Sequence, residues 1–250
     1  MVVPRVTRRR SHGTVPRMKP GADQRAARTS PRRGARAVVS AARSVRPARI
    51  ERERGILREA EAQFARYGFE GASLEGIATA VGMSRHNLLY YFPSKERLYR
   101  RVLDDVMTQW LAGMGALAVG DDPEVALARY IAAKMRSSRE RPDGSKTFTK
   151  EVIAGAPHYA DVITGRVGPA LAADVRVFER WARQRRIAKV DFTHLMFVIW
   201  AVTQAYADLA PQFALLLGKR ELEATDYARA QALITRLVLA GVRCGPELST

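Results

Sequence analysis

Val81-Gly82-Met83-Ser84-Arg85-His86-Asn87-Leu88-Leu89-Tyr90-Tyr91-Phe92-Pro93 is the stretch on which the fold turns. Gly82 can take the positive φ that a tight turn requires, Met83 is an apolar plug, and Ser84 is suited to cap a helix starting at Arg85. That helix spans about residues 85–92 and can hardly be longer, because Pro93 disfavours helical geometry at Phe92. Upstream, Ser73 is placed to cap a second short helix, whose Leu74, Ile77, Ala78 and Val81 recur at i, i+3, i+4 and i+7. Before it, Leu57, Ala60, Phe64 and Tyr67 form one face of a longer helix that Gly68 stops, with Phe69 folding back as the apolar residue of a left-handed C-cap. Two short helices joined by a three-residue glycine turn, behind a longer supporting helix, make a helix-turn-helix unit over residues 48–98.

The third helix tells what the unit is for. Leu88 and Phe92 belong to its core face, whereas Arg85 with Leu89 and His86 with Tyr90 point the other way. No acidic residue occurs between Glu75 and Glu96. A plain surface helix would carry Glu and Lys there; this one carries Arg85, His86, Asn87, Tyr90 and Tyr91. The reading is a helix whose N-terminal half meets base edges in a DNA major groove. Arg85 can fork onto guanine or clamp a phosphate, Asn87 can pair with adenine, and Leu89 can touch a thymine methyl. Ser73 and Lys95, at the starts of the flanking helices, favour phosphate, because free N–H groups and the positive dipole end lie there. Ser73, Ser84, Arg85, His86, Asn87, Tyr90, Tyr91 and Lys95 are the candidate DNA-binding set.

Charge supports that partner. The net charge of the 250 residues is +17, and residues 1–49 contribute 13 arginines, one lysine and a single acid, Asp23. Proline and glycine recur through residues 1–47 and apolar residues are few, so the segment is expected to be a disordered Arg-rich tail. Three readings stay open for it: a basic arm adding phosphate contacts, an extension without a role from a start placed too early (Met18 is a second candidate), or a transit peptide. Hydrophobic residues make up 47% of the chain, and the longest apolar run, residues 195–202, falls far short of the roughly 20 that a membrane span needs. Cys244 is the one cysteine, which excludes an internal disulfide and a multi-cysteine zinc site and fits a cytoplasmic protein. Nothing calls for a cofactor.

The runs Phe64-Ala65-Arg66-Tyr67-Gly68-Phe69, Ser73-Leu74-Glu75-Gly76-Ile77-Ala78, Val81-Gly82-Met83-Ser84 and Leu88-Leu89-Tyr90-Tyr91-Phe92-Pro93-Ser94-Lys95-Glu96 occur in order. They resemble the DNA-binding domain of TetR-family repressors, in which the position of Leu89 is more often tyrosine. Residues 87–96, the Glu151-to-Pro157 segment, Ile199-Trp200-Ala201, Gln204, Tyr206-Ala207-Asp208 and Ala210-Pro211-Gln212 are similar to the pyrimidine-utilisation regulators of that family. The resemblance implies an all-α homodimer with a ligand cavity in the C-terminal domain, and loss of DNA affinity when a small-molecule effector binds.

Residues 99–244 also read as helical on their own terms, a larger C-terminal domain. Tyr99, Val102, Leu103, Val106 and Trp110 continue a helix that begins at Ser94 and crosses the domain boundary. Asp122 with Pro123 starts a helix to about Glu140, and others are expected near residues 145–155, 159–186, 191–209 and 225–242. The six apolar residues 195–200 wrap the whole circumference of their helix, which must be covered on all sides. The last helix repeats Tyr227, Ala230, Ile234, Leu237 and Gly241, widened by Leu233, Val238 and Leu239. These two helices from each subunit are expected to form a four-helix homodimer interface, which in turn predicts an inverted-repeat operator.

Trp200 and Gln204 lie four apart and share a helix face. On residues alone they are either a core tryptophan with a structurally satisfied amide, or a flat ring and a two-way amide suited to a planar heterocycle. The resemblance favours the second, since Trp110, Trp200 and Gln204 fall where the pyrimidine regulators have pocket residues; the implied effector is uracil or thymine. Phe148 and Glu151 are weaker candidates. A family regulator of drug-efflux or lipid genes, with a larger hydrophobic ligand, is the alternative. An enzyme is not expected: no G-x-S-x-G elbow, Walker loop, HExxH or dinucleotide glycine pattern occurs, and His12, His86, His158 and His194 are scattered. A sequence-independent DNA compactor driven by the tail is the remaining rival.

Overall fold

The computed structural model describes the backbone of residues 32–119 and 122–243, and side chains from residue 48 onward apart from 113–116, 118 and 119 within that span. Contacts divide the chain at Arg46 and Pro47. In the first unit only backbone is described, and it is helical from Arg32. Residues 32–47 therefore differ from the expected structureless tail: between Pro31 and Pro47 the chain is rich in Ala and Arg, both strong helix formers, with no proline to interrupt them. The expectation for residues 1–31, and that for Cys244, lie outside the described residues.

All regular structure among the described residues is helical: α1 (Arg32–Gly71), α2 (Leu74–Ala80), α3 (Arg85–Tyr91), α4 (Lys95–Val119), α5 (Pro123–Glu140), α6 (Pro142–Ile153), α7 (Ala160–Val162), a π-helical turn (Ile163–Val167), α8 (Gly168–Arg183), α9 (Phe192–Asp208), α10 (Ala210–Leu216) and α11 (Ala224–Val242). Side-chain caps set several starts. The Oγ of Ser73 accepts the Gly76 N–H at 3.0 Å, and that of Ser84 accepts the Asn87 N–H at 3.2 Å. Asp122 and Asp191 do the same for Val125 and His194. Each satisfies an N–H that the helix itself cannot pair.

Two buried clusters organise the second unit. The first joins Ile56, Ala60 and Phe64 of α1 to Ile77, Leu88, Phe92 and the α4 residues from Leu98 to Met107, with Tyr159. The second packs Leu127, Tyr130 and Ile131 of α5 against Phe178, Trp181, Met196, Ile199, Ile234 and Val238. Leu111 of α4 touches both, so α4 runs from one core into the other.

The structure departs from the sequence reading in six places. Tyr67 is 50% exposed rather than on the core face, where Ile56 takes part instead. Gly68 takes a positive φ of 72° with an extended ψ of −179°, a kink after which helix resumes to Gly71 rather than a left-handed stop. The helix expected over residues 159–186 breaks into α7, the π turn and α8, because Pro169 has no N–H to offer the turn before it. The helix near residues 145–155 starts earlier, at Pro142, and α10 was not anticipated. On α11 the inward face is Ala230, Ile234, Val238 and Val242, while Leu233 and Leu237 point outward.

Candidate functional site

The surface around α3 is built from the caps outward. The Gly82 turn, at φ 68°, aims α3 away from α2, and Leu88 and Phe92 anchor it in the first core. Arg85, His86, Asn87 and Tyr90 are all exposed, Tyr90 at 71%. Leu89 and Tyr91 are half-buried, so Tyr91 offers only part of its ring to solvent and packs against the first core. Tyr90 and Tyr91 meet edge to face at 5.7 Å. Ser73, Arg85 and Lys95 line one open depression together with Glu70 and Glu75. The Lys95 ammonium donates to the carbonyl oxygens of Ala72 at 3.3 Å and Glu70 at 3.4 Å, and lies over the Phe69 ring at 4.5 Å. It closes the C-terminal end of α1, a placement that spacing alone does not show.

A second site lies where α4, α5, α6 and α9 converge. Trp110, Trp200 and Gln204 line one cavity of about 60 Å³ with Met107, Tyr130, Lys134, Phe148 and Val167. Trp110 meets Phe148 edge to face at 5.0 Å, and the Trp200 indole N–H donates to the Tyr130 hydroxyl at 2.5 Å. The Gln204 amide has no hydrogen-bond partner among the described residues. Nor does any acceptor among them bond the Lys134 ammonium, which sits 4.2 Å from the centre of the Trp110 ring. Burial lowers Lys134 to about 8, and the charge of Asp208 opposes that shift. Asp208 in turn accepts from Ser145 at 2.8 Å and Thr149 at 2.6 Å, tying α6 to α9. A half-buried amide and an ammonium without hydrogen-bond partners among the described residues, set among aromatic walls, form a chamber able to hold a flat ring and pair with its edge.

Phe148, the weaker candidate, is in this cavity. Glu151 is not: its buried carboxylate accepts the His158 N–H at 2.6 Å and braces the turn after α6. Tyr130 and Lys134 were missed, although a signal existed. On α5, Ala126, Leu127, Tyr130, Ile131, Lys134 and Met135 form one buried stripe, and a lysine inside an apolar stripe is rarely there for packing alone.

Comparison with known proteins places this architecture. Residues 56–102 match the family described as "Bacterial regulatory proteins, tetR family", and residues 103–245 match "YcdC-like protein, C-terminal region". The chain belongs to the TetR family. As a TetR-family protein it is a DNA-binding transcriptional regulator with a helix-turn-helix domain and a C-terminal helical domain. It is 36% identical over 192 residues to the HTH-type transcriptional regulator RutR of Escherichia coli (strain K12), covering 77% of this chain and 91% of that one. Among solved TetR-family folds, PfmR from Thermus thermophilus superposes with a TM-score of 0.61 at 20% identity, over 76% of this chain and 96% of that one. AibR, solved in complex with isovaleryl coenzyme A and operator DNA, gives a TM-score of 0.60 at 18% identity, over 75% and 98%. No helix among the described residues is long and apolar enough to cross a membrane.

Proposed function

We propose that the protein is a ligand-responsive repressor that binds an inverted-repeat operator as a homodimer and releases it on binding a small planar heterocycle, a pyrimidine base such as uracil or thymine. The observation that carries this reading is the convergence of Trp110, Trp200 and Gln204, from two helices distant in sequence, on one chamber. Its size supports a small ligand. About 60 Å³ is several times the roughly 10–15 Å³ that one water occupies, yet far below the roughly 300–1,000 Å³ of sites for drug-sized molecules. A large hydrophobic ligand would need the walls rebuilt. The Gln204 amide, without a hydrogen-bond partner among the described residues, can donate and accept along a carbonyl and N–H edge, with the Lys134 ammonium as a further donor.

DNA is met by α3, with Arg85, His86 and Asn87 toward base edges and Ser73, Ser84, Tyr90, Tyr91 and Lys95 around them. Two elements join this face to the chamber. α4 starts with Lys95 and carries Trp110. α6 holds Phe148 against the chamber, while Arg141 just before it grips Glu61 of α1 with its Nε 2.9 Å from both carboxylate oxygens. Thr147 donates to the Glu61 carbonyl at 3.3 Å, and Lys150 to that of Arg66 at 3.1 Å. A ligand acts on such a linkage only through its different affinity for the DNA-binding and released conformers.

Uracil or thymine titrated into the protein is expected to quench or shift tryptophan emission and to lower affinity for duplexes selected from a random pool. Gln204→Ala should abolish both effects. An unchanged spectrum with either base would overturn the ligand while leaving the family intact.

A further inference from the structure

The candidate DNA surface contains an arginine that lies outside the two short helices of the helix-turn-helix. The Arg49 guanidinium, on α1, stands 5.4 Å from the centre of the Tyr90 ring and 5.9 Å from that of Tyr91. The two rings meet at 88°, so one cation sits against both and bridges α1 to α3. Its neighbours on α1 are engaged differently: Arg54 and Arg58 reach Glu51 at 3.8 and 3.6 Å. Among the described residues no carboxylate pairs with Arg49 and no acceptor bonds it. Its side chain is exposed, and its charge adds to a surface with no acid from residue 76 to 95.

We propose that Arg49 is a positioning residue for DNA: it takes a backbone phosphate of the half-site and holds Tyr90 and Tyr91 in place for the same strand. This rests on α3 being the surface that meets DNA. A guanidinium lying against an aromatic face keeps its N–H edges free, and those edges match two oxygens of a phosphodiester. Tyr90 is largely exposed and has little core packing to fix its ring; contact with Arg49 restricts it before DNA arrives, which lowers the ordering cost on binding. A phosphate contact sets register without reading sequence, so Arg49 contributes affinity and leaves base preference to Arg85 and Asn87.

The test uses full-length protein and duplexes selected with the unaltered chain. Arg49→Ala should weaken binding about tenfold on every sequence and lower the slope of log affinity against log salt by about one per subunit. Arg49→Lys should restore the slope but only part of the affinity, because lysine keeps the charge and loses the planar fork. Both variants should melt with the parent, since the residue is exposed. An unchanged salt slope for Arg49→Ala overturns the proposal, as does a changed base preference. Arg85→Ala and Asn87→Ala, assayed in parallel, separate the two readings. If they leave preference intact while Arg49→Ala lowers the slope, α3 does not read bases and the phosphate contact stands; if only Arg49→Ala is silent, the reverse holds.

Discussion

Asp174 is a carboxylate that the second core encloses without helping. It is 3% exposed, and its Oδ2 has no hydrogen-bond partner among the described residues. Desolvation by burial raises its pKa to about 7 from 3.8. The folded state therefore binds a proton that the unfolded chain has already released between about pH 4 and 7, and stability falls as pH rises through that window. Asp174→Asn should flatten this dependence. At pH 8 the variant is expected to be more stable than the parent by about 1–3 kcal/mol, because the amide stays neutral and escapes the cost of burying an unpaired charge, with the gap closing toward pH 4. Urea unfolding at the two pH values checks it, and an equal midpoint at pH 8 would mean that Asp174 finds a partner in solution. At this scale sequence reading succeeds where a residue acts through its own helix. Ser73, Ser84 and Asp191 announce themselves as caps because the N–H groups they bond are three residues away. Lys95 does not, since its acceptors at Glu70 and Ala72 lie more than twenty residues back.

Among the elements, α6 is the most constrained. Gly144 is buried where α6 crosses α4 and α1: an added Cβ would stand 2.8 Å from Val106 Cγ2, 3.1 Å from Glu61 Oε1 and 3.2 Å from Arg141 Cγ. The crossing needs the missing side chain. Gly144→Ala should cost about 1–3 kcal/mol through overpacking, against the roughly 1 kcal/mol that alanine ordinarily contributes within a helix. Gly55 of α1 has open space around it, so Gly55→Ala should gain that increment. Opposite shifts in thermal midpoint for the two variants would confirm that contact, rather than propensity, decides. A helix is expected near residues 145–155 from the sequence; that one edge holds a chamber and the other braces α1 is not, because those edges are defined only by what packs against them.

For the whole molecule, the unsatisfied surface is apolar. Phe197, Val198 and Val202 on α9 and Leu233 and Leu237 on α11 are 37–61% exposed, on the pair of helices expected to face a second subunit. Leu237→Glu should convert the proposed homodimer to monomers at micromolar concentration and weaken operator binding, with sedimentation as the measure. Dimers that survive this change would move the interface elsewhere.

Most of the helices, the caps, the glycine turn and the acid-free face of α3 were legible in the chain, because each depends on residues within one or two turns of one another; α10 and the helix over residues 32–47 were not. The proposed dimer surface is half legible: the all-round apolar run of α9 demands cover, but the stripe read on α11 holds Leu233 and Leu237 together with Ala230, Ile234 and Val238, and only packing against α5 turns Val238 inward and leaves Leu237 exposed. The chamber itself belongs to tertiary structure. Trp110, Lys134, Phe148 and Gln204 come from α4, α5, α6 and α9, and periodicity within one helix carries no record of which faces of four helices will meet. Lys134 acquires its buried charge, and Arg49 its place beside two tyrosines, only when distant segments close on each other and remove water from between them.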